Sequence, residues 1–230
     1  MKTLSYQIGY WSALLLILSL IIWIISFTGI ALTSPLFTWT NLQDYVAYTQ
    51  NNPQFFQNLA KFFMLLFGPL IVLLINSYYD YASPNKKVLV RISMLFALGF
   101  AVLSSLHYFV QISAVRLSIE QGQTEGLQHF IQANPLSIMT SIDMTGWTLF
   151  LGLSSFFIFP VFTGNRLNQT IRYAFLINGI SCILAGIGYT LQIDILTLVF
   201  VNLGVGGAII VVSIASLILF KNLKKKPVIH

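Results

Sequence analysis

Apolar residues run through this chain in six long stretches separated by short polar links. A membrane-crossing helix needs about 20 mostly apolar residues, and the stretches fall at about 10–32, 57–79, 88–118, 136–162, 173–191 and 196–220. Polar and small residues recur at helical spacing inside them. In the third, Ala97, Ala101, Ser104, His107, Gln111 and Ser118 share one face, with Leu95, Leu98, Val102, Leu106 and Phe109 opposite. The fourth aligns Thr140, Asp143, Gly146, Trp147 and Ser154, and the fifth Asn178, Ser181, Cys182, Ala185, Tyr189 and Gln192. Asn202, Gly206, Ser213 and Ser216 mark the sixth; Asn58, Lys61, Gly68, Val72 and Asn76 mark the second. Small residues let membrane helices approach and polar ones bond across them, so each stripe is expected to face a bundle interior. The pattern predicts an all-α, polytopic six-helix transmembrane bundle forming one integral membrane domain over residues 1–230. Open strands are excluded, because unpaired backbone groups in hydrocarbon cost several kcal/mol each. Gln192, Ile193, Asp194 and Ile195 alone separate the last two stretches, which requires a tight helical hairpin.

Composition removes the other classes. Charged residues make up 8% of the chain and hydrophobic ones 57%, with a mean hydropathy of +0.82; soluble domains carry roughly 25% charge. That much apolar surface also excludes intrinsic disorder, and a single Cys excludes a disulfide scaffold. The cations sort to one side. Lys2, Lys86, Lys87, Arg91, Arg166, Arg172, Lys221, Lys224, Lys225 and Lys226 flank the same ends of the stretches, leaving Lys61 and Arg116 as exceptions. The positive-inside rule makes that side the cytoplasm and places the N- and C-termini there. Asp44, Glu120, Glu125 and Asp194 fall outside and Asp80 inside. The net charge of +6 is therefore a topology signal, and no nucleic-acid partner is expected. Gly29 and Ala31 faintly resemble a leader cleavage site, but the apolar run exceeds the usual 7–15 residues of a leader. The expectation is an uncleaved first helix and a plasma-membrane, multi-pass location.

Two connections on the outer side are long. Residues 33–56 carry Trp39, Tyr45, Tyr48, Phe55 and Phe56, residue types suited to a headgroup belt. In residues 116–134, Leu127, Phe130 and Ile131 follow an i, i+3, i+4 pattern after Thr124, which predicts a short amphipathic helix in the interface. Asn52-Pro53 and Asn134-Pro135 precede the second and fourth stretches, and eight residues past each proline stands an ionisable group, Lys61 and Asp143.

Those groups carry the chemistry. A carboxyl at helix depth costs roughly 2.5–3.5 kcal/mol on insertion scales and is normally paired or functional. Asp143 lies about 12 Å into its helix at 1.5 Å per residue, and His107 reaches a comparable outer-half depth from the opposite direction. The expected ligand-binding set is Asp143, His107, Gln111, Lys61, Thr140, Trp147, Tyr189, Gln192 and Asn202, gathered in one outward-facing polar cavity. Three readings compete. Asp143 pairs with Lys61 or His107 and only fixes packing; or Asp143 and His107 take up a proton, an ion or a small polar solute, histidine titrating near neutrality; or His107 is the base of a lipid-directed hydrolase with Ser104 as nucleophile.

Sharper chemistries lack their residues. A zinc site wants several histidines, and His107 and His129 are the only ones before the tail. A retinal Schiff base wants a lysine in the last helix, which has none before Lys221. Gly204, Gly206 and Gly207 sit in an apolar helix, where close packing or self-association into a homo-oligomer suits them better than phosphate binding. Cys182 has no redox partner, the sequon at Asn168 lies on the cytoplasmic side, and no helix carries the spaced arginines of a voltage sensor. No cofactor or metal is expected; the expected partners are the lipid bilayer and a small solute, ion or proton.

Overall fold

The computed structural model describes residues 2–225, and Lys226 of the basic tail lies outside the described residues. Among the described residues there are helices and connections and no strand. Six helices are long and apolar enough to cross a membrane: Leu4–Thr33, Phe55–Ser77, Pro84–Glu120, Ile138–Val161, Arg166–Thr190 and Asp194–Lys224, numbered below as the first to sixth spans. Several outrun their apolar stretches. The fifth starts at Arg166, seven residues before the hydropathy signal, because Asn165 caps it by accepting a hydrogen bond from the Asn168 backbone at 3.0 Å. Polar end turns are helical without being hydrophobic, so hydropathy alone cuts them off.

Successive spans pack against one another, and the sixth closes on the first, so the six form a ring in chain order. The stripe on the third span is buried from Ala97 through Ser104 and His107 to Gln111, while Leu95, Leu98, Val102, Leu106 and Phe109 are exposed, as their spacing predicts. Asn76 departs from its stripe and is exposed; Leu74, Ile75 and Ser77 take the buried face at that end.

One end of the ring carries Lys86, Lys87, Arg91, Arg166, Arg172, Lys221 and Lys224, and is called the basic end. Its interior is filled by aromatic rings. Tyr78 meets Phe162 edge-on at 4.8 Å and stacks on Phe220 at 5.5 Å, and its hydroxyl bonds that of Ser216. Midway along the ring Trp147 stacks on Phe67 at 5.6 Å and meets Phe100 edge-on at 4.8 Å. This second aromatic layer closes the interior from the basic end.

The other end is capped by the two long connections. The first contains the helix Leu42–Asn51, started by Asn41, whose Oδ1 accepts from the Asp44 backbone at 2.9 Å. Its Tyr45 packs with Val115, Ile119, Leu127 and Ile131 in a hydrophobic cluster separate from the main core. The expected amphipathic helix around Leu127 is not formed. Gly126 adopts a left-handed conformation (φ 72°) that stops any helix from Thr124, and a single tight turn covers Leu127–His129. Leu127 and Ile131 point under the cap and Phe130 is exposed. Tyr45 likewise is not a belt residue: it is 8% exposed, and burial pushes its phenol up to about 12, so it contributes no charge near neutrality. Phe37, Trp39, Tyr45, Leu127 and Ile131 of the two connections pack together, while Leu36 and Phe130 are exposed.

The hairpin between the fifth and sixth spans is as tight as the sequence requires. Gln192 takes a left-handed conformation (φ 57°), the Ile193 N–H donates to Gly188 O at 2.8 Å, and the Gln192 N–H donates to Tyr189 O at 3.2 Å. Gly204 packs on Ser181 of the fifth span, which places it in internal packing; no heavy atom lies within 4 Å of where a Cβ at Gly207 would stand.

Candidate functional site

Three adjoining hollows run from the capped end toward the Phe67–Trp147 layer. The mouth, of about 330 Å³, is lined by Tyr45, Asn58, Lys61, Gln111, Arg116 and Glu120 among others. A middle hollow of about 440 Å³ shares Tyr45, Thr49, Gln54 and Lys61 with the mouth. The innermost, of about 320 Å³, shares Trp23, Met64, Tyr108 and Gln132 with the middle one and adds Thr140, Asp143, Trp147 and Asn202. Five of the six spans line the series; the fifth does not.

At the bottom Asp143 lines the inner hollow and faces His107, which is fully buried and lines none of the three. Nε2 of His107 lies 3.9 Å from Oδ2 of Asp143, too far for a hydrogen bond. The opposite ring nitrogen, Nδ1, lies 3.0 Å from the carbonyl of Met139. A carbonyl only accepts, so Nδ1 carries a proton and donates it, and in the neutral ring Nε2 is a bare acceptor. Two acceptors thus confront each other across a gap. Neither Nε2 of His107 nor Oδ1 of Asp143 has a hydrogen-bond partner among the described residues. Both atoms are buried, and of the two residues Asp143 alone lines the inner hollow.

The other expected site residues separate into two groups. Thr140 and Trp147 line the inner hollow with Asp143; Thr140 Oγ1 donates to Gln132 O at 3.2 Å, and Trp147 is its aromatic floor. Asn202 lines it from the sixth span, its Nδ2 donating to Leu198 O at 2.8 Å. Lys61 lines the mouth and middle hollows and makes no ion pair or hydrogen bond among the described residues, so the expected Asp143–Lys61 pair is not formed. Tyr189 is turned elsewhere. Its hydroxyl donates to Pro135 O at 2.8 Å and lies 2.9 Å from Ser141 Oγ, in a separate groove between the fourth and fifth spans. Gln192 lies at the exposed hairpin turn and lines none of the three hollows. Ser104 and His107 are both fully buried and line none of them, so a Ser104–His107 nucleophile has no approach for a substrate.

Gln111 holds the cap. Its side chain is clamped between the Phe130 carbonyl, to which Nε2 donates at 2.5 Å, and the Gln132 N–H, which donates to Oε1 at 3.0 Å. Gln111→Ala leaves both backbone groups without partners, at about 1–3 kcal/mol for each buried one. The expected result is accelerated hydrogen exchange at the Gln132 amide, with the amides of Gly68–Leu74 unchanged; equal protection of Gln132 in both proteins would contradict the clamp.

The third, fourth and sixth spans each contain a wide helical turn, at Gln111–Val115, Gly146–Phe150 and Phe200–Gly206. All three contribute lining: Gln111 and Val115 to the mouth, Trp147, Val201, Asn202 and Val205 to the inner hollow. Such turns shift helical register and frequently mark functional sites.

Sequence reasoning missed Trp23, Met64, Tyr108 and Gln132, which join the middle and inner hollows. Trp23 lies on the face of the first span marked by the buried Ser12, Ser19 and Ser26, a polar stripe legible in the sequence, whereas Gln132 reaches the interior only because its loop folds under the cap. Comparison with known proteins supplies no family, since no protein-family model, curated protein or solved structure matches the chain.

Proposed function

We propose that this is an integral membrane protein that binds or moves a small solute or ion through its capped end, as a transporter or a sensor. The basic end then faces the cytoplasm with both termini, by the distribution of Lys and Arg, and the capped end faces outward across the plasma membrane. One observation carries the reading: hollows that start among Lys61, Arg116 and Glu120 end at Asp143, which the buried His107 faces from behind the wall. Pockets of 300–1,000 Å³ with few polar groups and aromatic walls are the usual form of a small-molecule site. The competing reading, an accessory subunit whose polar cluster serves packing, draws on the His107–Met139 bond that ties the third span to the fourth.

Cysteine labelling separates the two. In a Cys182→Ser background, a small membrane-impermeant methanethiosulfonate added outside intact cells is expected to modify Thr140→Cys and Glu125→Cys. It is expected to spare Asn165→Cys at the basic end and Ser213→Cys, which is fully buried. Modification of Glu125→Cys without Thr140→Cys would close the inner hollow to solutes and leave the accessory reading.

A further inference from the structure

Two opposite charges line the hollows without meeting. Lys61 stands at the mouth and middle hollows without a carboxylate or hydrogen-bond partner among the described residues. Asp143 stands at the bottom of the inner hollow beside Trp147 and Tyr108, with Nε2 of His107 3.9 Å from its Oδ2. An unpaired cation and an unpaired carboxyl at helix depth are each expensive, and direct pairing would offset both. The fold keeps them on different hollows, while Trp23, Met64, Tyr108 and Gln132 line both and make one continuous wall between them.

We propose that the site takes a zwitterion, its cationic group inward between Asp143 and the rings of Trp23, Tyr108 and Trp147, its anionic group outward at Lys61. The proposal rests on the solute-binding reading above and names the ligand class of that site. A simple cation would engage Asp143 alone and a simple anion Lys61 alone, whereas a zwitterion engages both. Indole and phenol faces attract ammonium and quaternary ammonium groups, and Trp23, Tyr108 and Trp147 line the inner hollow together with Asp143. At the mouth Lys61 is the cation left to an anion, since Arg116 pairs with Glu120 and Gln111 is held by the Phe130 and Gln132 backbone. Two sources share this chemistry: a free solute such as an amino acid or betaine, and the headgroup of a zwitterionic phospholipid.

The test uses the full chain in nanodiscs of phosphatidylglycerol, which lacks a zwitterion, titrated calorimetrically with glycine betaine, γ-aminobutyrate and phosphocholine. At least one is expected to bind. Choline and 3,3-dimethylbutanoate, each carrying one of the two charges, are expected to bind at least tenfold more weakly than the best zwitterion. Lys61→Met is expected to weaken the zwitterion at least tenfold and leave choline unchanged; Lys61→Arg, which keeps the charge, is expected to retain zwitterion binding and serves if Lys61→Met does not fold. In phosphatidylcholine nanodiscs, loss of the soluble probe identifies the headgroup as occupant, and unchanged affinity identifies a free solute. Choline binding as tightly as the zwitterion, or 3,3-dimethylbutanoate doing so, overturns the proposal and leaves a solute site of single charge. Silence from all five probes also overturns it, and the labelling of Thr140→Cys then decides separately whether the solute-binding reading survives.

Discussion

Asp143→Asn is expected to weaken ligand binding about a hundredfold, or ~3 kcal/mol, while changing the stability of the folded protein by less than ~1 kcal/mol. The two effects separate because of how the carboxyl is held. Oδ1 has no partner and Oδ2 stands 3.9 Å from His107 Nε2, so the protein makes little use of either oxygen in its own packing. An asparagine keeps the shape, and its amide N–H can donate to the bare Nε2. A ligand cation, by contrast, loses the whole charge-assisted interaction, and in a desolvated site that loss outweighs any change in packing. The packing reading makes the reverse forecast. There the carboxyl stabilises the third span against the fourth, and breaking a buried pair costs about 3–5 kcal/mol. Titration of the best-binding probe beside unfolding in detergent reads both quantities. A large fall in stability with unchanged affinity would remove Asp143 from the site.

Much of the framework was legible because the contrast between faces is strong. The third span alternates small or polar residues with large apolar ones at the helical period, and its buried set is the one its spacing predicts. His107, Asp143, Thr140 and Trp147 came with that periodicity. The fifth span misled for a physical reason. Its stripe is buried from Asn178 to Ala185, but those residues serve neighbours: Asn178 Nδ2 donates to Ser155 Oγ at 2.7 Å, and Gly204 packs on Ser181. Past Ala185 Gly188 packs on Leu196 and Thr197 of the sixth span, and Tyr189 bonds Pro135 and Ser141 instead. Periodicity says which face is buried; it does not say whether that face meets a cavity or another helix. Gln192 was placed by its polarity, whereas its conformation is set by the hairpin it closes. The cap was the least legible part, since Leu127, Ile131 and Gln132 are positioned by Gln111, twenty-one residues before Gln132, and not by local propensity.

Gly68→Val is expected to cost the bundle ~3 kcal/mol, the upper end of what overpacking usually costs. A Cβ at Gly68 would stand 2.7 Å from the Cα of Ala101, 3.1 Å from its Cβ and 3.3 Å from its carbonyl oxygen. Backbone cannot swing aside as a long side chain can, so the second and third spans must separate, and small residues are what allow membrane helices to come so close. The consequence reaches the site. Lys61 lies two turns from Gly68 on the same helix face, and Phe67, beside Gly68, stacks on Trp147 at the floor of the inner hollow. Moving the second span therefore shifts the base of the mouth and the floor together, and affinity is expected to fall with stability. Ala101→Gly in the same chain removes only the Cβ at 3.1 Å and leaves the Cα at 2.7 Å, so the double variant is expected to stay within ~0.5 kcal/mol of additivity. Gly207→Ala is the counterpart, since nothing stands within 4 Å of its added Cβ, and its effect is expected within ~0.5 kcal/mol. Unfolding midpoints that are equal for Gly68→Val and Gly207→Ala would mean that the second and third spans are not in backbone contact at Ala101, and the floor built on that contact would have to be redrawn.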